Sequence, residues 1–166
     1  AVIFSSSFSV EKSLPIPTST IFFGRHKVIN SAISLYSPIM IELMPIGLID
    51  SRLLLDLKKE LKNTFGEIEV GRGLKLNHNG YNPKRRQFKA DIILENLREV
   101  SLNSEAEKVI GITNVDIYTP GLNFIFGQAY INGKVCLISL YRLFTPNYDL
   151  LLERATKEAT HELGHC

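Results

Sequence analysis

Residues 39–70, IMIELMPIGLIDSRLLLDLKKELKNTFGEIEV, set the frame for the rest of the chain. Ile39 to Met44 form an apolar run of strand length, which Pro45 and Gly47 are expected to close. Asp50 or Ser51 can cap a helix through about Phe65. Within it Leu53, Leu54, Leu57, Leu61 and Phe65 recur at three- and four-residue steps, and Gly66 stands where a helix stop belongs. Residues 67–70 read as a second strand. A strand, a helix and a strand in this order imply a crossover and parallel pairing.

Outward from this unit the pattern continues. Residues 71–86 are polar and rich in turn formers. Residues 87 to about 100 read as a second amphipathic helix, with Phe88, Ile92, Ile93 and Leu97 on one stripe. Residues 109–118 alternate well enough for one central strand. Residues 124–131 and 134–140 flank Asn132-Gly133, the strongest hairpin signal in the chain. Thr145-Pro146 is expected to open a last helix that runs to Cys166. The fold class expected is α/β, a single compact domain with a twisted mixed sheet packed against helices.

Residues 1–38 differ from the rest. They are rich in Ser, Thr and Pro, show no sustained period and hold one acidic residue, Glu11. They are expected to form a poorly ordered or accessory extension, or a short strand at 21–23; translation beginning near Met40 is a further alternative. The division expected is therefore 1–38 and 39–166.

Composition narrows the function classes. At 166 residues the chain suits one domain with a sizeable core, and its hydrophobic content of 45% is that of an ordinary globular protein. A net charge of +2 gives no general attraction to nucleic acid, and the one basic cluster, Lys84-Arg85-Arg86, is short. No apolar run reaches the roughly 18 residues of a membrane span, and the N-terminus lacks the basic and apolar regions of a signal peptide. Two cysteines, Cys136 and Cys166, do not make a disulfide framework. The expectation is a cytoplasmic monomer that engages neither membrane nor nucleic acid.

The chemistry concentrates in His161-Glu162-Leu163-Gly164-His165. On a helix, residues four apart share a face, so both imidazoles can address one ion, while Glu162 sits one step round the axis, within reach of a water on that ion. This is the zinc-ligand and general-base spacing of zinc peptidases. With four histidines in the chain, an accidental match arises on the order of once in 200 such sequences. Leu151, Ala155, Ala159 and Leu163 form an apolar stripe on the other side of the same helix, which leaves the histidines free to face a cleft. A solvated helix face would share that arrangement.

A catalytic zinc uses three protein ligands and leaves a position for water. His78 lies in a polar turn between Asn77 and Asn79, and His26 lies between Arg25 and Lys27. Cys166 points about 100° away from His165. None of these completes the set.

Three blocks together resemble the archaemetzincins, metzincin-like zinc peptidases of archaea and vertebrates. They are residues 154–165 (RATKEATHELGH), residues 110–118 with 120–127 (IGITNVDIY and PGLNFIFG), and residues 81–88 (YNPKRRQF), in the family's order. The likeness covers about 39–166. It implies a metzincin-like domain with the zinc helix at the C-terminus behind the sheet, zinc on His161 and His165, Glu162 as the catalytic base, and a peptide or protein substrate. It also implies one edge strand where a peptide could add, with residues 121–130 as the candidate and a core hairpin strand as the alternative. The family pattern continues past the second histidine with a glycine, a third histidine and cysteines that hold a second, structural zinc. None of these follows in the sequence. The expectation is thus a chain shortened after the motif and impaired for lack of a third ligand, with a non-catalytic metal- or peptide-binding domain on the same fold as the alternative.

Overall fold

The computed structural model describes residues 39–166, so the expectations for residues 1–38 lie outside the described residues. The opening unit is β1 (Ile41–Ile46), α1 (Ser51–Phe65) and β2 (Ile68–Val70), with β1 and β2 parallel. Asp50 caps α1, its side chain accepting from the Leu53 N–H at 2.9 Å. Gly66 ends the helix at φ 92°, a conformation that favours glycine.

Pro45 does not close β1, which runs on to Ile46. The alternation of backbone groups explains this. The Leu43 and Pro45 carbonyls accept from the Gly71 and Leu74 N–H groups on the β2 side. The amide hydrogen that proline lacks would thus have faced that side, and the pairing of β1 with β5 loses nothing.

The next segment holds a 3-10 turn at His78–Gly80, then β3 (Tyr81–Asn82), β4 (Gln87–Lys89) and α2 (Ala90–Ser101). Residues 87–89 are therefore strand, not the first turn of a helix. Phe88 pairs with Tyr81 on one side and Ile117 on the other, and its N–H donates to the Asp116 carbonyl at 2.8 Å. The expected single strand at 109–118 is two strands, β5 (Lys108–Thr113) and β6 (Ile117–Tyr118), which belong to different sheets. The polar step at Asn114 to Asp116 breaks the run, because Asp116 turns its carboxylate to Arg142 and Gln87. β7 (Gly127–Ala129) and β8 (Val135–Ser139) form the antiparallel hairpin across Asn132-Gly133, each shorter than its sequence run. α3 (Tyr148–His165) begins after Asn147, whose side chain accepts from the Leu150 N–H at 3.1 Å, so Thr145-Pro146 precede the cap.

The larger sheet runs β2-β1-β5-β8-β7, parallel except for β7 at one edge, and the smaller runs β3-β4-β6. Strand residues alternate between two cores. Ile41, Leu43, Ile110, Ile112, Cys136 and Ile138 meet α1 and α3 on one face. Met44, Ile46, Val109, Val135 and Leu137 meet α2 on the other. Both faces of the central strands are covered, which is why their sequences are apolar at nearly every position. No helix among the described residues is long and apolar enough to cross a membrane.

Candidate metal centre

The last turn and a half of α3 carries the histidines. Ala155, Ala159 and Leu163 bury one side of the helix in the core it shares with α1. The other end of the helix is fastened at its start, where the Tyr148 hydroxyl donates to Asp56 at 2.5 Å and Arg52 lies over the Tyr148 ring at 4.3 Å. At its finish the Asn132 N–H, at the hairpin turn, donates to the His165 carbonyl at 2.9 Å. Lys108 Nζ donates to the Cys166 carbonyl at 2.6 Å. Cys166 packs against the same core beside buried Cys136.

With the helix held at both ends, the imidazoles of His161 and His165 converge. Their Nε2 atoms are 3.0 Å apart, with the rings nearly perpendicular at 89°. Two nitrogens bound to one tetrahedral zinc, at about 2.0–2.1 Å each, would stand about 3.3 Å apart. The pair is within a few tenths of an ångström of that separation, and both rings are half-buried. Their donor chemistry, two imidazole nitrogens, suits zinc. Among the described residues there is no group of three His, Cys, Asp or Glu side chains that could hold a metal.

Glu162 is not a solvated glutamate. It is 6% exposed and lies against Gly127 of β7. Burial and the neighbouring Glu158 carboxyl, one helical turn back and within hydrogen-bonding reach, push its carboxyl up to about 8. Glu158 is itself raised by burial. A cation beside Glu162 would act in the opposite sense and favour the carboxylate. Sequence reasoning passed over Glu158, although the four-residue step from Glu158 to Glu162 places them together. It also passed over Gly127, a lone glycine in a strand, which is a signal of close approach.

β7 is the edge of the larger sheet. The Phe126 carbonyl accepts from Ser139 and the Tyr130 N–H donates to Val135, so the even-numbered residues turn their backbone groups to β8. Gly127 and Ala129, between them, turn theirs outward. The loop that leads into this edge is clamped from several sides. Arg142 holds Asp116 through two bonds of 2.8 and 2.7 Å while lying 4.2 Å from the Phe124 ring centre. Arg85, from the basic cluster, donates to the Leu122 and Asn123 carbonyls at 2.8 Å each and lies over Tyr118.

Residues 51–166 match peptidase family M54. The chain belongs to this family, the archaemetzincins. It is 40% identical to the archaemetzincin of Methanopyrus kandleri over 109 residues, which are 65% of this chain and 61% of that protein. To the archaemetzincin of Methanocaldococcus jannaschii it is 40% identical over 129 residues, 74% of this chain and 69% of that one. Among solved structures, the Methanopyrus kandleri archaemetzincin superposes with a TM-score of 0.69 at 36% identity, covering 78% of this chain and 73% of that one. A zinc-dependent peptidase from Methanocorpusculum labreanum superposes at 0.63 with 25% identity, covering 75% and 79%. This chain thus spans about three-fifths to four-fifths of the length of these relatives. The mixed sheet and the C-terminal helix of the archaemetzincin fold are those described above.

Proposed function

We propose that this protein hydrolyses peptide bonds, with zinc on His161 and His165 and Glu162 as the base. The observation that carries the reading is the pair of Nε2 atoms 3.0 Å apart on a helix whose intervening glutamate is buried against an open edge strand. Bound there, zinc supplies Lewis acidity, lowering the pKa of water towards about 7 and polarising the scissile carbonyl. The chain's own groups do the rest. An extended peptide adds to β7 through the outward backbone groups of Gly127 and Ala129, which brings its backbone alongside Glu162. Glu162 accepts the proton of the attacking water and passes it to the leaving amine nitrogen, so that peptide and water become a carboxylic acid and an amine.

His161 and His165 would be two of the three protein ligands that a catalytic zinc uses. The test belongs to the longest natural form of the protein. In that form Glu162→Gln should retain zinc and lose about 100-fold or more in kcat, while His161→Ala or His165→Ala should lose the metal. Zinc content unaffected by either histidine substitution would refute the assignment. A protein that holds stoichiometric zinc yet cleaves no peptide would instead be a binding domain on the same fold.

A further inference from the structure

We propose that Gly127 is a positioning residue for Glu162, the absence of a side chain at this one place on β7 setting where the carboxylate stands. The inference rests on the reading of Glu162 as the base for its catalytic consequence, though not for its geometry. A Cβ added at Gly127 would lie 2.6 Å from Glu162 Cγ and 2.8 Å from Glu162 Oε1. Ordinary carbon contacts begin near 3.5 Å. The Glu162 side chain therefore stands up to about an ångström closer to the edge strand than a β-carbon at this position would allow.

The glycine is not there for its backbone. The glycines at positive φ are Gly47, Gly66 and Gly121 among the described residues, and Gly127 is not one of them. Space, not conformation, excludes a side chain. Nor can the helix withdraw to make room. Ala159 and Leu163, on either side of Glu162, are locked into the core, and the hairpin turn holds the His165 carbonyl. Glu162 would have to swing about its own bonds. The glycine thus leaves the carboxylate beside the outward backbone of the edge strand, where a peptide added to β7 would run. A displacement of about 1 Å in such a group is enough to reduce turnover about 100-fold.

A second contact complicates the obvious variant. The same Cβ would stand 2.8 Å from the Leu137 carbonyl of β8, so Gly127→Ala carries a penalty unrelated to Glu162. A double-mutant cycle separates the two. Thermal melts would compare wild type, Gly127→Ala, Glu162→Ala and the double variant, all in the longest natural chain. The loss of Tm caused by Gly127→Ala should be clearly smaller when residue 162 is alanine. Equal losses in the two backgrounds would overturn the inference. If Gly127→Ala fails to fold alone but folds with Glu162→Ala, the inference is supported in stronger form; if neither folds, the Leu137 carbonyl is the reason for the glycine and the inference is overturned.

Kinetics give the functional half. Gly127→Ala should lower kcat about 100-fold with KM within about twofold and with zinc content unchanged. Wild-type kcat in this variant would overturn the inference. A wild-type protein without peptidase activity would refute the proposed function instead, and the melts alone would then decide whether Gly127 positions Glu162.

Discussion

Removing either partner of the Asp116–Arg142 pair should destabilise the domain unequally, and the difference follows from exposure. The Asp116 side chain is 9% exposed and that of Arg142 39%. Asp116 accepts two bonds from Arg142, at 2.8 and 2.7 Å, and a third from Gln87 at 3.1 Å. When Asp116→Ala is made, the guanidinium keeps its place over Phe124 and can be rehydrated, so the charge-assisted bonds are partly replaced by water. A loss of about 2 kcal/mol is expected. When Arg142→Ala is made, a carboxylate that is nine-tenths buried keeps only the Gln87 amide. An uncompensated buried charge is the more expensive outcome, about 3 kcal/mol or more. The coupling between the two should be about 1–2 kcal/mol, less than for a fully buried pair because one partner faces water. Urea unfolding of wild type, both single variants and the double variant reads all three quantities, provided the m-value stays constant. If Asp116→Ala proves the worse substitution, or if the coupling falls below about 0.5 kcal/mol, then burial does not govern this clamp and the argument fails. The consequence reaches the site, since the same guanidinium steadies Phe124 in the loop that feeds the edge strand.

The acid limb of stability offers a second test. Hydrogen bonds from Arg98 and then from Tyr130 hold the Glu95 carboxyl down at about 2, below its ordinary 4.5. A depressed folded value means stability that is present above the unfolded value and lost as pH falls through the folded one, so Glu95→Gln should flatten the pH dependence of the urea midpoint between about pH 4.5 and 2; an unchanged slope in that window would contradict the assignment. In the core, Leu57→Ala removes a side chain with no exposure from the face shared by α1 and the sheet, and should lower stability by about 2–5 kcal/mol. Leu55→Ala, on the exposed side of the same helix, should stay within about 0.5 kcal/mol, and equal effects at the two positions would mean that α1 is rotated from the face described.

Local signals explain which parts of this fold could be read in advance. The first strand, α1 and β2 were legible because cap, leucine spacing and terminal glycine agree within 20-odd residues of one another. The hairpin at Asn132-Gly133 was legible for the same reason. Residues 87–89 were not, since Phe88 suits a helical stripe equally well, and what makes it strand is its pairing with Tyr81 and Ile117. The division of 109–118 between two sheets likewise depends on Arg142 and Gln87 claiming Asp116 from 26 and 29 residues away. At the candidate site the order was similar. His161, Glu162 and His165 announce themselves by spacing on one helix, and Glu158 could have been added by the same rule. Gly127 could not, because the contact that matters joins residues 35 positions apart and exists only once sheet and helix are packed.

Hairpin tips are ordinarily the places where a chain accepts extra residues, fused peptides or new termini. The bend at Asn132 is an exception, since its backbone amide is spent on the carbonyl of His165. Lengthening that bend by even one residue would slacken the grip on the last helical turn and let the second imidazole drift from the first. Engineers seeking a permissive site for a tag or a circular permutation should therefore look elsewhere on this molecule, and natural variation in the length of this bend should be rare wherever the two imidazoles are kept.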